Sequence, residues 1–125
     1  MPKEDNNLRE RGSAFLPKFG SDGLLTAVVI ERESNRPLMV AHMNAEALSR
    51  SRETGIAHFY SRSRQALWMK GETSGNILTI ERIFVDCDQD ALVLVCVPAG
   101  PACHTGAFSC FYRELVGDEL TPNFD

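Results

Sequence analysis

The chain has 125 residues, 43% of them hydrophobic and 24% charged, and a formal net charge of −4. These values are typical of a globular protein, and the length is that of a single domain over residues 1–125. The negative net charge gives no overall preference for a nucleic acid polymer, so any site for anions has to be local.

No apolar run reaches the roughly 18 to 20 residues that a membrane-spanning helix requires. The first ten residues, M-P-K-E-D-N-N-L-R-E, are too polar for a secretory signal, so we expect a cytoplasmic protein with no membrane partner. Reducing conditions there favour metal ligation or reactive thiols over disulfides. The cysteines concerned are Cys87, Cys96, Cys103 and Cys110.

The N-terminal part of the chain predicts a flexible segment followed by a hairpin. Residues 1–12 are polar and expected to be flexible, whereas Phe15 and Phe19 are the first expected core contacts. A β-branched run over 24–30 and an apolar run over 38–41 flank a turn-rich segment, which predicts two paired strands.

One substantial helix is predicted over about 45–54. Asn44 is a favourable N-cap, and Gly55 is a favourable residue for ending a helix. The rest of the chain predicts strands, with the clearest alternation in I-L-T-I-E-R-I-F-V. These strands are placed over 57–60, 67–70, 77–85 and 91–97. The expected fold class is therefore α+β, mainly antiparallel β with one substantial helix.

The segment D-C-D-Q-D carries Asp86, Asp88 and Asp90 with Cys87 between them. If it is extended, alternation places the three carboxylates on one face and the thiol on the other. Carboxylates suit a hard cation such as Mg²⁺, whereas a thiolate suits Zn²⁺, so two distinct metal positions close together are predicted. An EF-hand is excluded because its glycine and final glutamate are missing, and an ordinary acidic turn remains an alternative.

Cys103 and Cys110 lie in a loop rich in glycine and proline that could bring both sulfurs to one point. Together with Cys87 they would leave the fourth position of a tetrahedral zinc open to water, as in catalytic zinc sites. His104 directly follows a proposed ligand and could carry a proton to or from that water. Cys96 lies within an apolar strand and is expected in the core.

Two predicted turns, S-R-S-R and K-G-E-T-S-G, combine basic side chains, hydroxyls and glycines. This chemistry suits phosphate groups, although ordinary surface turns often have the same composition. Trp68 between the turns could stack on a base, and a place in the core is the alternative. The candidate substrate-binding residues are Ser61, Arg62, Ser63, Arg64, Lys70, Thr73 and Ser74.

Several motifs, in the same order and spacing, resemble the phosphoribosyl-AMP cyclohydrolase family of histidine biosynthesis. They are M-N-A-E-A-L, S-R-S-R, L-W-M-K-G-E-T-S-G-N, D-C-D-Q-D-A-L, G-P-A-C-H-T-G and S-C-F-Y, and the resemblance runs from about Phe19 to Arg113. It implies hydrolysis of the N1–C6 bond of the adenine ring of phosphoribosyl-AMP, which gives a formimino-carboxamide ribonucleotide.

The resemblance also implies an intertwined homodimer with one shared zinc ion per subunit. Cys87 would come from one subunit, and Cys103 and Cys110 from the other. The three aspartates, Asp86, Asp88 and Asp90, match the Mg²⁺ site of the family, and His104 matches its proposed general base.

One departure from the family concerns the substrate. Ala107 and Phe108 stand where most of the family has two arginines, and neither side chain offers bidentate contacts to phosphate. Two other functions therefore remain open. One is a related metal-dependent amidine or purine hydrolase with an altered substrate, and the other is a non-catalytic zinc or thiol module.

Overall fold

The computed structural model describes residues 3–123, and these form two helices and eight strands. The helices are α1 (Lys3–Arg11) and α2 (Ala45–Thr54). The strands are β1 (Leu25–Glu31), β2 (Pro37–Met43), β3 (His58–Ser61), β4 (Ala66–Met69), β5 (Leu78–Val85), β6 (Ala91–Pro98), β7 (Arg113–Val116) and β8 (Glu119–Pro122). Neither helix in this range is long and apolar enough to cross a membrane.

The main sheet has four strands in the order β2-β1-β6-β5. The pairs β1–β2 and β5–β6 are antiparallel, as are the separate hairpins β3–β4 and β7–β8. The exception is β1, which runs parallel to β6. The α+β prediction with mainly antiparallel strands is thus confirmed, including the β1–β2 hairpin.

The predicted helix is confirmed with both of its caps. The Asn44 side chain accepts a hydrogen bond from the Ala47 amide at 2.8 Å, which satisfies one of the free amides of the first turn. Gly55 has a φ of 75° at the other end, and its amide donates to the Ser51 carbonyl oxygen at 2.9 Å. A positive φ of this kind favours glycine, so α2 ends where the sequence predicts.

The core lies between the main sheet, α2 and the β3–β4 hairpin. Alternate residues of β1 point into it, and the phenyl ring of Phe59 is fully buried. Phe15 and Phe19 pack against this core as predicted. Cys96 is also fully buried, and desolvation raises its pKa to about 12. This thiol stays neutral, so Cys96 is a core residue, as the sequence predicts.

Two elements were not predicted. Helix α1 lies within residues 1–12, which were expected to be flexible. A helix at the end of a chain can still be mobile, so the flexibility of this segment stays a prediction. The β7–β8 hairpin turns at Gly117, where φ is 61°, and all eight of its strand residues are exposed. The Gly-Asp pair between two short apolar stretches was the sequence signal for this hairpin.

The parallel pairing of β1 and β6 gives the sheet two distinct ends. The turn of residues 86–90 precedes β6 and lies at what we call the aspartate end. The loop of residues 99–110 follows β6 and lies at what we call the thiol end. The eight residues of β6 span roughly 26 Å at about 3.3 Å per residue. The two groups of candidate metal ligands are therefore far apart within one chain.

Candidate functional site

A cavity of about 670 Å³ opens at the thiol end, within the range typical of small-molecule sites. Its walls come from β4, from the segment after β4 and from the loop of residues 99–110. Seven of the predicted site residues line it: Arg64, Lys70, Thr73, Ser74, Cys103, His104 and Cys110. The fold therefore brings two thiols, an imidazole, two cations and two hydroxyls to one concave surface.

The thiols of Cys103 and Cys110 lie close enough to each other for each to affect the pKa of the other. The Thr105 hydroxyl donates to the Cys103 sulfur at 3.0 Å, and this bond is the main cause that lowers the pKa of Cys103. Desolvation, followed by the nearby Cys103, raises the pKa of Cys110. One thiol is thus biased toward the thiolate that binds a metal, which suits a zinc ligand pair.

Cys110 is held in place by strand β2. Its amide donates to the Leu38 carbonyl oxygen at 2.7 Å. The neighbouring Ser109 is only 1% exposed, and its hydroxyl donates to the Pro37 carbonyl oxygen at 2.6 Å. Sequence reasoning missed Ser109 and Thr105 as supports of the two thiols, because a serine or threonine beside a cysteine has no distinctive spacing.

Ala107 and Phe108 support the same loop through their backbone. Their carbonyl oxygens accept from the amides of Cys103, at 3.2 Å, and Ala102, at 3.1 Å. Among the described residues, neither of their side chains lines the cavity, while the Arg36 guanidinium lies 5.8 Å above the Phe108 ring. In this chain, Ala107 and Phe108 therefore support the loop through their backbone, and their side chains lie outside the cavity.

The opposite wall of the cavity depends on glycines packed around Asn76. Gly71 has a φ of 86°, and a Cβ there would lie 2.5 Å from the Asn76 carbonyl carbon. A Cβ on Gly100 would lie 2.3 Å from Asn76 Oδ1. Asn76 and Glu72 both line the cavity and were not predicted as site residues. The position of Asn76 depends on the close packing of Gly71 and Gly100 against it, which no local pattern in the sequence indicates.

The remaining substrate-binding candidates lie in an adjoining groove of about 550 Å³. Ser61, Arg62 and Ser63 line this groove, and Arg64 and Trp68 line both the groove and the cavity. Trp68 also packs on Phe59, with their ring centroids 5.2 Å apart, so it is both a partly buried residue and a cavity wall. All seven candidates are thus brought to one continuous concave region.

At the aspartate end, carboxylate oxygens of Asp86, Asp88 and Asp90 all lie within 4.8 Å of one another. The segment is a turn, since the Gln89 amide donates to the Asp86 carbonyl oxygen at 3.1 Å and Gln89 has a φ of 60°. The expected extended segment is therefore wrong. The carboxylates converge because the backbone turns, and strand alternation does not contribute.

Crowding of these carboxylates changes their protonation. The hydrogen bond with Asp88, and then that with Asp86, raises the pKa of Asp90 to about 6. The Asp90 side chain in turn is the main cause that lowers the pKa of Asp88. Carboxylates this close repel each other when ionised, so a hard cation that takes oxygen ligands fits the cluster.

Cys87 does not join the other two proposed zinc ligands within one chain. It is exposed in the turn at the aspartate end, whereas Cys103 and Cys110 lie at the thiol end. In residues 3–123, the aspartates are the only three metal-ligating side chains that approach within 4.8 Å. One chain therefore offers two converging sulfur ligands, and the two metal positions are not close together as expected.

Comparison with known proteins identifies the family. A model of the family described as phosphoribosyl-AMP cyclohydrolase matches residues 39–112. The chain is 65% identical over 107 residues to the phosphoribosyl-AMP cyclohydrolase of Erythrobacter litoralis, covering 86% of each protein. It is 59% identical over 110 residues to the protein of the same name from Sphingopyxis alaskensis, covering 88% of this chain and 87% of that one. The corresponding protein of Brucella canis is 54% identical over 114 residues, which is 90% of this chain and 82% of that protein. The chain therefore belongs to the phosphoribosyl-AMP cyclohydrolase family and is an enzyme of the hydrolase class.

Proposed function

We propose that the chain hydrolyses the N1–C6 bond of the adenine ring of phosphoribosyl-AMP, the third step of L-histidine biosynthesis. The observation that carries this proposal is the cavity at the thiol end, where a thiol pair, His104 and phosphate-binding side chains share one surface. In the reaction, the oxygen of water bonds to C6, the C6–N1 bond breaks, and N1 takes up a proton. The product is the formimino-carboxamide ribonucleotide.

Cys103 and Cys110 would hold a zinc ion, with Cys87 as the third ligand. The hydrogen bond from Thr105, which favours the Cys103 thiolate, supports zinc at this position. When bound, zinc supplies the Lewis acidity that makes water nucleophilic near neutral pH. His104 lies on the same cavity wall and would transfer the proton from water toward the leaving nitrogen.

The two phosphate groups of the substrate would have two sets of partners in the concave region. Lys70, Thr73 and Ser74 lie in the cavity, and Arg62 lies in the adjoining groove. Arg64 lines both, so it would bridge the two ends of the substrate. Trp68 offers a ring on which the purine would stack. These residues would fix C6 next to the thiol pair and His104.

A homodimer would complete the zinc site, with Cys87 from one subunit and Cys103 and Cys110 from the other. The opposite placement of these cysteines in one chain supports this arrangement. Cys87 lies two residues after the end of β5, an edge strand of the main sheet, and Phe84 on this strand is 49% exposed. Apolar side chains on an unpaired edge favour association with another chain. Leu115 and Leu120 of the β7–β8 hairpin are further exposed apolar side chains.

Magnesium is the second proposed metal, held by Asp86, Asp88 and Asp90. Carboxylate oxygens are the ligands that Mg²⁺ prefers, and the crowding of the three groups supports a cation among them. In the homodimer, the turn that carries Cys87 would bring this cluster to the other subunit's cavity. Magnesium would then orient the phosphates of the substrate.

The reaction is tested by following ring opening of phosphoribosyl-AMP by absorbance. We expect turnover that is lost on chelation and restored by zinc. Absence of turnover in a preparation with one filled four-ligand zinc site per chain would instead support the non-catalytic module.

The shared zinc site is tested by mixing Cys87→Ser and Cys103→Ser subunits. Each variant alone should be inactive. A mixed dimer would keep one complete site, formed by Cys87 of the second variant and the thiol pair of the first. Random mixing therefore restores about one quarter of the sites. If mixing restores no activity although mixed dimers form, the shared site is wrong.

A related hydrolase with an altered substrate is the second candidate, because Ala107 and Phe108 replace the arginines of the family. Comparing kcat/KM for phosphoribosyl-AMP and adenosine monophosphate separates the two functions. A preference for adenosine monophosphate would favour the second candidate.

A further inference from the structure

Gln89 has an unusual conformation for a long side chain. Its φ of 60° lies in the left-handed region, which glycine and asparagine adopt more readily. The residue is nevertheless only 6% exposed, in a turn whose neighbours Asp86, Cys87 and Asp90 are exposed. A buried amide in an unfavourable backbone conformation indicates that its side chain has a specific structural task.

The side chain of Gln89 connects the turn of residues 86–90 to the N-terminal segment. Its Oε1 accepts from the Leu16 amide at 2.7 Å. Its Nε2 donates to the carbonyl oxygens of Arg9, at 2.7 Å, and Ala14, at 3.2 Å. The Arg9 guanidinium closes this network, because its Nε donates to the Leu16 carbonyl oxygen at 2.9 Å.

The backbone of Gln89 makes the same connection. Its carbonyl oxygen accepts from the Lys18 amide at 2.7 Å, and its amide donates to the Asp86 carbonyl oxygen at 3.1 Å. Lys18 and Asp90 line the same small concave surface. Residues 9–18 and the aspartate turn therefore form one hydrogen-bonded unit, with Gln89 at its centre.

This connection leaves the carboxylates available for a cation. Within the turn, Asp86 Oδ1 already accepts from the amides of Asp90, at 3.0 Å, and Ala91, at 3.2 Å. A cation that draws on this oxygen would weaken the internal support of the turn. The hydrogen bonds of Gln89 involve no carboxylate oxygen, so they hold the turn whether or not a cation is present.

We propose that Gln89 is a positioning residue for the magnesium site, holding the turn against residues 9–18 so that the three carboxylates converge. This inference rests on the proposed function of the cluster as a metal site. The inference gives residues 9–18 a role in supporting the metal site, although none of them is a proposed metal ligand.

The test compares Gln89→Gly with Gln65→Gly in the full-length protein. Both glutamines have positive φ, at 60° and 50°, so glycine relieves the same backbone strain at each. Gln65 is exposed, and its side chain makes no hydrogen bond among residues 3–123. Mn²⁺ serves as the probe, since it takes the same oxygen ligands as Mg²⁺ and is counted by electron paramagnetic resonance.

We expect Gln89→Gly to bind Mn²⁺ about 10-fold or more weakly than the wild-type protein, as for other residues that orient metal ligands. Gln65→Gly should bind as the wild type does, and both variants should retain zinc. Amide hydrogen exchange should accelerate at Leu16 and Lys18 only in Gln89→Gly. Equal Mn²⁺ affinity of Gln89→Gly and wild type would overturn the inference while leaving the metal site intact.

Asp88→Asn distinguishes this failure from failure of the site itself. If the wild-type protein and Asp88→Asn bind Mn²⁺ equally weakly, the aspartates are not the metal site, and both the magnesium proposal and this inference are rejected.

Discussion

The aspartate end and the thiol end of the sheet differ in how much of a metal site one chain supplies. At the aspartate end, three carboxylates already converge within 4.8 Å. At the thiol end, two sulfurs meet in a cavity, and the third candidate lies beyond the far end of β6. The three carboxylates are brought together by a local turn, whereas the proposed zinc site would need a second chain for its third sulfur. Closeness in sequence therefore does not decide which candidate ligands lie together.

The two ends also differ in how their charges are supported. At the thiol end, the hydrogen bond from Thr105 lowers the pKa of Cys103 and so favours its thiolate. The aspartate end has the opposite character, since crowding favours protonation of Asp90. We expect the thiol end to keep its geometry without metal, and the aspartate end to gain the most from binding a cation.

The largest expected effect is that of Cys103→Ser at the thiol end. Loss of a thiolate ligand should reduce zinc retention and turnover by more than about 100-fold, beyond the effect typical of supporting residues. Cys96→Ala is the matched control, since it should cost about 1–2 kcal/mol of stability and leave zinc bound. Metal analysis with the absorbance assay measures both. If Cys103→Ser were fully active, the proposal that the thiol end takes part in the reaction would be wrong.

Asp88→Asn tests whether the two ends act independently. Removal of one carboxylate should lower magnesium-dependent activity by about 10-fold or more, while zinc content stays unchanged. Activity is measured across a magnesium titration in zinc-loaded protein. If Asp88→Asn lost zinc as well as magnesium, the two ends would not act independently.

Gly71→Ala tests the packing behind the thiol end. The added Cβ would meet backbone atoms of Asn76 and Ile77 at 2.5 Å, so we expect a loss of more than about 2 kcal/mol in stability. Gly75→Ala shares the positive φ but meets nothing within 4 Å, and should cost only about 1 kcal/mol. Urea denaturation measures both. Equal losses would show that backbone conformation matters here and close packing does not.

Thr105→Val should have a smaller effect, confined to the thiol end. Without the hydroxyl, the pKa of Cys103 should rise toward its ordinary value, and zinc affinity should fall by about 10-fold. Thiolate absorbance during a pH titration checks the first effect, and a competing chelator checks the second. Thr121→Val in the exposed strand β8 is the control and should change neither.

The smallest expected effect is the pH dependence of the metal-free aspartate end. The folded pKa of Asp90, about 6, lies above its ordinary value of 3.8, so the folded chain binds this proton more tightly than the unfolded chain. Its contribution to stability is therefore full below pH 3.8 and is lost as the pH rises through 6. Thermal unfolding in the presence of a chelator should show this loss, and Asp90→Asn should abolish it. The exposed Asp118→Asn variant should retain the pH dependence of the wild type.

Local patterns determined most of the individual elements. Helix α2 begins after Asn44 and ends before Gly55, as predicted, because each cap interacts only with backbone groups a few residues away. The β1–β2 hairpin and the buried position of Cys96 followed from short runs of apolar residues. Local chemistry also named seven substrate-binding candidates, and all seven line the cavity or the groove, although their role stays a prediction.

Tertiary structure alone decided which of these residues meet. The parallel pairing of β1 with β6 joins distant segments, and no local pattern specifies it. Strand β6, which runs between them, carries Cys103 and Cys110 away from Cys87, although they lie only sixteen and twenty-three positions later in the sequence. Contacts of Gln89 with residues 9–18 likewise join the aspartate turn to a segment more than 70 residues away in sequence, which no local pattern indicates. The sequence thus named the candidate metal ligands by their chemistry, and the strands and long-range packing decided where each of them lies.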